Sequence, residues 1–229
     1  TGLVSNHGLM ILLNFHYLTG VQNLSINNSI QKWNKKQRDE LEKISKIFAL
    51  KYILAIINSK FAKFYLNTIR RHRIEYYFYP DDLKKIPIKK IPPKDQTPFI
   101  RLADIMLSKN KELQEIQKKF TKLLQSELFS SNPVLQGGVT RKLEDWYKLS
   151  FDEFLAEIKS KKVELTLSKK AEWMDFFEKE KKAALEVNDV IVATDREIDL
   201  MVYRLYDLTY EEIKIIDPEF HLSKKDFEG

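Results

Sequence analysis

The sequence predicts a predominantly helical α+β protein. A small mixed α/β part over residues 1–95 is followed by an all-helical part over residues 96–229 that contains one long helix. Two patterns lead to this reading. Up to Pro93 the apolar residues fall in short runs interrupted by Gly20, Asn/Ser clusters and prolines, whereas from Thr97 they recur in steps of three, four and seven between recognisable helix starts. Charge divides the same way. Residues 1–98 carry 17 basic against 7 acidic side chains, a net +10, and the remainder carries 22 against 26, a net −4. The basic first part is suited to a polyanionic partner and the second to a solvated helical surface.

The elements follow in order. Leu9–Leu18 and Val21–Ile30, apolar runs separated by Gly20, read as two strands. After Asn34 the spacing of Leu41, Ile44, Ile47, Phe48, Ile53, Ile56, Ile57, Phe61, Phe64 and Tyr65 predicts helix from Lys35 to about Arg70, broken once near Ala49 or Asn58. Tyr76–Tyr79 reads as a strand, Pro80-Asp81-Asp82 as a turn, and Lys85–Ile91 as a strand-like exit that Pro87, Pro92 and Pro93 keep from being helical. Leu102, Met106, Leu113, Ile116, Phe120 and Leu123 then mark one helix of about eight turns from Thr97 to Leu128, its seam interrupted only by Lys109. Ser130-Ser131-Asn132-Pro133 and Gly137-Gly138 form a linker. Four further helices are predicted, from capping boxes at Ser150/Glu153, Thr194/Glu197 and Thr209/Glu212 and an N-cap at Ser168.

Composition excludes several classes. With no cysteine there can be no disulfide scaffold, thiolate metal site or cysteine nucleophile, which fits a reducing cytoplasm. The most apolar stretch, Ile47–Ile57, is too short for a bilayer and contains Lys51, so no membrane partner is expected. The opening Thr1-Gly2-Leu3-Val4-Ser5 has neither an initiating methionine nor a signal peptide's basic flank, and reads as a piece of something longer.

No catalytic constellation emerges. His7, His16, His72 and His221 stand singly, without a second ligand at metal spacing, and Gly137-Gly138 lacks the P-loop lysine. Glu157-Ile158-Lys159 and Glu180-Lys181-Lys182 have the letters of a nuclease E-x-K pair but lie in helical pattern, where they read as solvated faces. Asn132-Pro133-Val134-Leu135 shares two positions with the Asn-Pro-Pro-aromatic loop of base methyltransferases and lacks the other two. The chain is expected to have no catalytic, metal or cofactor residues of its own.

One constellation does stand out. Arg70-Arg71-His72-Arg73 is followed by Tyr76-Tyr77-Phe78-Tyr79 and then by Lys84-Lys85 and Lys89-Lys90. Such side chains can neutralise phosphates, grip guanine and pack on sugar or base. The alternative is that the aromatics are strand core, the lysines a soluble rim, and Arg71 and Arg73 pair with Glu75, Asp81 or Asp82 to secure the turn. Around this constellation, Tyr52-Ile53-Leu54-Ala55-Ile56-Ile57-Asn58-Ser59-Lys60-Phe61, continuing to Phe64-Tyr65, and Tyr79-Pro80-Asp81-Asp82-Leu83-Lys84-Lys85-Ile86-Pro87-Ile88 resemble the specificity region of type IIG restriction-modification enzymes and their adenine-specific DNA methyltransferase relatives. The tail Glu197–Thr209 resembles the C-terminus of the same proteins.

The resemblance implies that residues 1–95 are the latter part of a target-recognition domain and 96–229 the helical C-terminal segment. It also implies double-stranded DNA as partner and an upstream catalytic domain that carries S-adenosylmethionine and, in some relatives, a nuclease. The apolar blocks read as scaffold, leaving Arg70, Arg71 and Arg73 as candidate base readers and Lys84, Lys85, Lys89 and Lys90 as candidate phosphate contacts. The competing expectation, from a different class, is a helical assembly module that self-associates through the Phe99–Leu128 helix without touching DNA.

Overall fold

The computed structural model of the chain describes residues 2–5, 8–11, 35–69, 80–83, 85–129 and 139–229. Its elements are a hairpin, β1 (Gly2–Ser5) and β2 (Gly8–Ile11), then α1 (Lys35–Ser45), α2 (Leu50–Asn58), α3 (Lys60–Ile69), α4 (Pro80–Leu83), α5 (Thr97–Leu124), α6 (Arg141–Glu144), α7 (Phe151–Ser160), α8 (Leu167–Leu205), α9 (Tyr210–Ile216) and α10 (Lys224–Glu228). A 3₁₀ turn at Pro93–Gln96 leads into α5, and a π turn at Gln125–Phe129 follows it. The predominantly helical expectation is met. The mixed α/β part is not: among the described residues the only strands are β1 and β2, an antiparallel pair with Gly2 opposite Ile11 and Ser5 opposite Gly8. The predicted strands at Val21–Ile30 and Tyr76–Tyr79, and the linker around Gly137-Gly138, lie outside the described residues.

The chain divides into two compact units, Thr1–Asp104 with Asp195–Gly229, and Ile105–Thr194. In the first, α2 is apolar almost all round and is buried through Tyr52, Leu54, Ala55 and Ile56. Its lone charge, Lys51, pairs with Asp104 of α5. The predicted long helix over Lys35–Arg70 is broken twice, at residues 46–49 and again at Ser59. Pro80-Asp81-Asp82, predicted as a turn, belongs to the single helical turn of α4. Lys85–Ile91 forms no strand: Pro87 has no amide to offer a ladder, and the polar groups of this segment are taken up by side chains instead. The C-terminal elements form a small cluster around buried Tyr203, Ile213 and Phe220.

The second unit is built on α5, whose heptad residues Leu113 and Phe120 are buried and Ile116 and Leu123 partly buried, with Leu124 rather than Leu123 taking the fully buried place. Phe120 is its centre. Its ring stacks on Trp146 at 3.7 Å and on Phe176 at 5.6 Å, and meets Phe154, Trp173 and Phe177 edge-on at 5.9, 6.0 and 6.1 Å. Gln117, one turn earlier, donates to the Glu144 carbonyl and to Asp145 Oδ1, both at 3.1 Å, and so fixes the loop that carries Trp146.

Two of the three predicted capping boxes are present, at Ser150/Glu153 and Thr209/Glu212. The third is not. Thr194 lies inside α8, where its hydroxyl donates to the Val190 carbonyl at 2.7 Å, so the two helices expected to start at Ser168 and Thr194 are one helix of 39 residues. The cap at its start is Thr166, which receives the Lys169 amide at 3.4 Å; Ser168 lies within the first turn. At the end of α7, Lys162 adopts φ 59° and the Val163 amide returns to the Ile158 carbonyl at 3.2 Å, closing a Schellman motif without glycine.

Because Phe120 touches five other aromatic rings, Phe120→Ala is expected to destabilise the protein by about 3–5 kcal/mol. Urea unfolding followed by tryptophan emission measures this, and a loss under about 1 kcal/mol would show that the cluster is not the unit's organising contact.

Candidate nucleic-acid interface

The site begins at the break between α2 and α3. Asn58 donates to the Leu54 carbonyl at 2.9 Å, and Ser59 turns the chain, its hydroxyl donating to the Ile56 carbonyl at 2.7 Å and accepting the Ala62 amide at 3.2 Å. Helix α3 therefore starts with orphan amides in a buried place. The Lys60 amide donates to Asp199 Oδ1 of α8 at 2.8 Å, and the Lys60 ammonium pairs with Asp217 Oδ2 at 2.7 Å. Asp199 is 3% exposed and its second oxygen has no hydrogen-bond partner, nor has the buried hydroxyl of Tyr203 one turn along. Burial pushes the Asp199 carboxyl up to about 6, further raised by Asp195 and Asp217 and opposed by the Lys60 amide and ammonium. Asp195, also raised by burial, faces Lys60 and Lys63. Beside these groups is a recess of about 80 Å³ lined by Lys60, Arg196, Asp199, Asp217, Glu219, Phe220 and His221, too small for a nucleotide-sized ligand. Among the described residues no group of three or more His, Asp or Glu side chains is arranged to hold a metal.

A second set of contacts fixes the exit segment after α4. The end of α8 is a Schellman motif, with the Leu208 amide on the Tyr203 carbonyl at 3.1 Å and the Asp207 amide on the Arg204 carbonyl at 3.2 Å, and Asp207 takes φ 55°. Aspartate tolerates this left-handed position better than most residues. The turn presents Tyr206 and Asp207 to residues 87–89. The Tyr206 ring stacks on Phe61 of α3 at 4.3 Å, while its hydroxyl donates to the Pro87 carbonyl and accepts the Lys89 amide at 3.3 Å. From the other side the fully buried Tyr52 donates its hydroxyl to the Lys89 carbonyl at 2.6 Å. The Lys89 ammonium is bound to Asp207 Oδ2 at 2.7 Å and to the Leu205 carbonyl at 2.6 Å.

Of the seven residues predicted from sequence, three lie among the described residues: Lys85, Lys89 and Lys90. Lys89 is engaged with the chain's own tail, and Lys85 pairs with Asp82 at 2.9 Å. Lys90 is exposed and has no ion pair among the described residues. Lys84, Arg70, Arg71 and Arg73 lie outside the described residues. Helix α3, which leads directly to Arg70, exposes Lys63, Phe64, Asn67 and Thr68 on one face. Phe64, one of the apolar residues whose spacing predicts the helix, lies on this exposed face. Lys63 and Asn67, four residues apart, mark the exposed face, and Ala62 and Leu66 the buried one.

Residues 92–202 match the profile of a domain of unknown function, DUF8810. The match spans the second unit and its flanks, and leaves out the Tyr52–Phe61 block, the Tyr206 turn and the exit segment through Ile91. No curated protein and no solved structure matches the chain. Among the described residues no helix is long and apolar enough to cross a membrane.

Two outcomes follow from this geometry. The folded-state pKa of Asp199 stands above its ordinary 3.8, so the folded chain holds a proton that the unfolded chain has released. The stability this contributes is complete below about pH 4 and is lost as pH rises through about 6. Asp199→Asn removes that dependence: relative to the parent, the variant is expected to gain stability on the order of 2 kcal/mol between pH 4 and pH 7, read by denaturation at a series of pH values. Tyr206→Phe keeps the stacking on Phe61 but leaves the Pro87 carbonyl and Lys89 amide without their partner. It is expected to cost about 1–2 kcal/mol and to speed hydrogen exchange at the Lys89 amide, which mass spectrometry or NMR can follow.

Proposed function

We propose that the chain is a sequence-specific double-stranded DNA recognition module of a restriction-modification methyltransferase, acting in the cytoplasm and positioning an upstream catalytic domain that binds S-adenosylmethionine. The observation that carries this reading is the meeting of the two segments on which the family resemblance rests. The Tyr52–Phe61 and Tyr79–Ile88 blocks lie more than a hundred residues before the Glu197–Thr209 tail, yet Lys60 is held by Asp199, and Tyr206 lies on Phe61 and holds Pro87. Segments that are similar to one family and also pack on one another fit a single inherited module. The cationic side chains on and near this scaffold supply what a phosphate backbone requires.

The assembly reading finds less support. It needs an apolar stripe of the Phe99–Leu128 helix free for a partner, and Phe99, Leu102, Leu113, Phe120, Leu124 and Leu128 are all buried by the chain itself.

Fluorescence anisotropy with labelled duplexes over a salt series tests the proposal, using the chain joined to its catalytic domain. Affinity should fall steeply with salt, with a sequence preference at fixed salt. Arg71→Ala or Arg73→Ala should cost about 1–3 kcal/mol on the preferred duplex and relax the preference at one base pair. Lys90→Ala should instead weaken all duplexes alike, and Lys89→Ala should do so less, because the Lys89 ammonium is already neutralised by Asp207. A folded chain that binds no duplex at low salt overturns the proposal.

A further inference from the structure

We propose that Lys46, Lys90 and Lys94 form one phosphate-binding patch for the backbone of duplex DNA, assembled by the buried side chain of Gln96. The inference rests on the DNA-recognition reading above and adds to it a site in which two of the three lysines carry no signal in the sequence beyond their charge.

Gln96 is 1% exposed and satisfies its whole amide group within the first unit. Its Oε1 accepts the Ala49 amide at 2.8 Å, and its Nε2 donates to the Ile47 carbonyl at 2.8 Å and to the Ile91 carbonyl at 3.1 Å. A single nitrogen thus bonds both carbonyls, which holds the α1–α2 connection and the exit segment side by side. Lys46 immediately precedes Ile47, Lys90 immediately precedes Ile91, and Lys94 lies in the 3₁₀ turn that ends at Gln96 itself. All three are exposed.

The backbone under these lysines is fixed. On either side of Lys90, the Lys89 amide and carbonyl are taken by Tyr206 and Tyr52, and the Ile91 carbonyl by Gln96. Pro92 and Pro93 set the chain entering the Lys94 turn, and Lys46 sits in a turn closed by the Ile47 amide on the Ile44 carbonyl at 3.0 Å. Their charge is also uncommitted. Lys51, Lys60, Lys85, Lys89 and Arg101 of this unit each have a carboxylate within 4.0 Å, whereas Lys46, Lys90 and Lys94 have none among the described residues. Asp95, exposed in the same turn as Lys94, is an acidic neighbour, and one carboxylate against three ammonium groups leaves the patch net positive among the described side chains. Ammonium groups are point charges with rotatable donors. Three of them on rigid backbone suit a row of phosphates better than they suit base edges, which are read by planar forks.

The test uses the chain joined to its catalytic domain and a random-sequence duplex of about three helical turns, with anisotropy read over a potassium chloride series. Lys46→Ala/Lys90→Ala/Lys94→Ala should reduce the slope of log affinity against log salt by about two to three. The ranking of sequences should stay unchanged. Lys118→Ala/Lys122→Ala/Lys179→Ala, an equal loss of charge from exposed positions of the second unit, should leave the slope nearly as it is. Gln96→Glu keeps an acceptor for the Ala49 amide but cannot donate to either carbonyl; where thermal melts show it folded, its slope should fall between parent and triple variant. If the parent binds duplex and the first triple variant keeps its slope, or both triple variants lower it equally, the patch is wrong while DNA recognition stands. If the parent binds no duplex at low salt, DNA recognition and the patch fall together.

Discussion

A helix that starts inside a folded unit has amides that water cannot reach, and the start of α3 answers this need with a side chain from far along the sequence. Asp199 takes the Lys60 amide while Asp217 takes the Lys60 ammonium, so the first and last parts of the first unit are joined at one residue. The arrangement sacrifices some electrostatic comfort. Asp199 keeps one carboxylate oxygen unpaired in a buried place, and removing a single partner from such a group costs more than the pair itself contributes. What it secures is position. With α3 anchored, Phe61 offers the surface on which Tyr206 stacks, and Tyr206 in turn fixes the segment that carries Lys89 and Lys90.

The same logic separates two kinds of lysine in this unit. Lys60 and Lys89 are spent on internal carboxylates and act as structural pins, whereas Lys46, Lys90 and Lys94 stand on backbone that tyrosine and glutamine side chains hold still. Flexible cationic side chains lose entropy on binding wherever they sit. Placing them on rigid backbone confines that loss to the side chains themselves.

The sequence made legible whatever depends on neighbours three or four residues apart. Ser150 with Glu153 and Thr209 with Glu212 form their boxes, the heptad Leu102, Leu113 and Phe120 is buried along one long helix, and Asn58-Ser59 breaks the helix where its side chains can reach back to α2. Thr194 with Glu197 has the same letters and no box, because a threonine hydroxyl inside a continuous helix finds the carbonyl four residues back and nothing N-terminal to it interrupts the pattern. Lys85–Ile91 was legible as non-helical from its prolines. That tyrosines 37 and 117 residues away would take the place of a strand partner was not, since no local period encodes it. Of the candidate site, composition pointed to the basic first part, yet it could not say that Asp207 neutralises Lys89 or that Gln96 ties the Ile47 carbonyl to that of Ile91. Such pairings are decided by the return of the tail and by one buried amide.

The aromatic centre of the second unit also divides the molecule optically. Two of the three tryptophans, Trp146 and Trp173, surround Phe120 in that unit, while the third, Trp33, lies outside the described residues and the first unit is built around Tyr52, Tyr203 and Tyr206. In a Trp33→Phe background, long-wavelength excitation therefore watches one unit alone. Release of the tail is followed separately in the same sample, through the hydrogen exchange of the Lys89 amide that Tyr206 accepts.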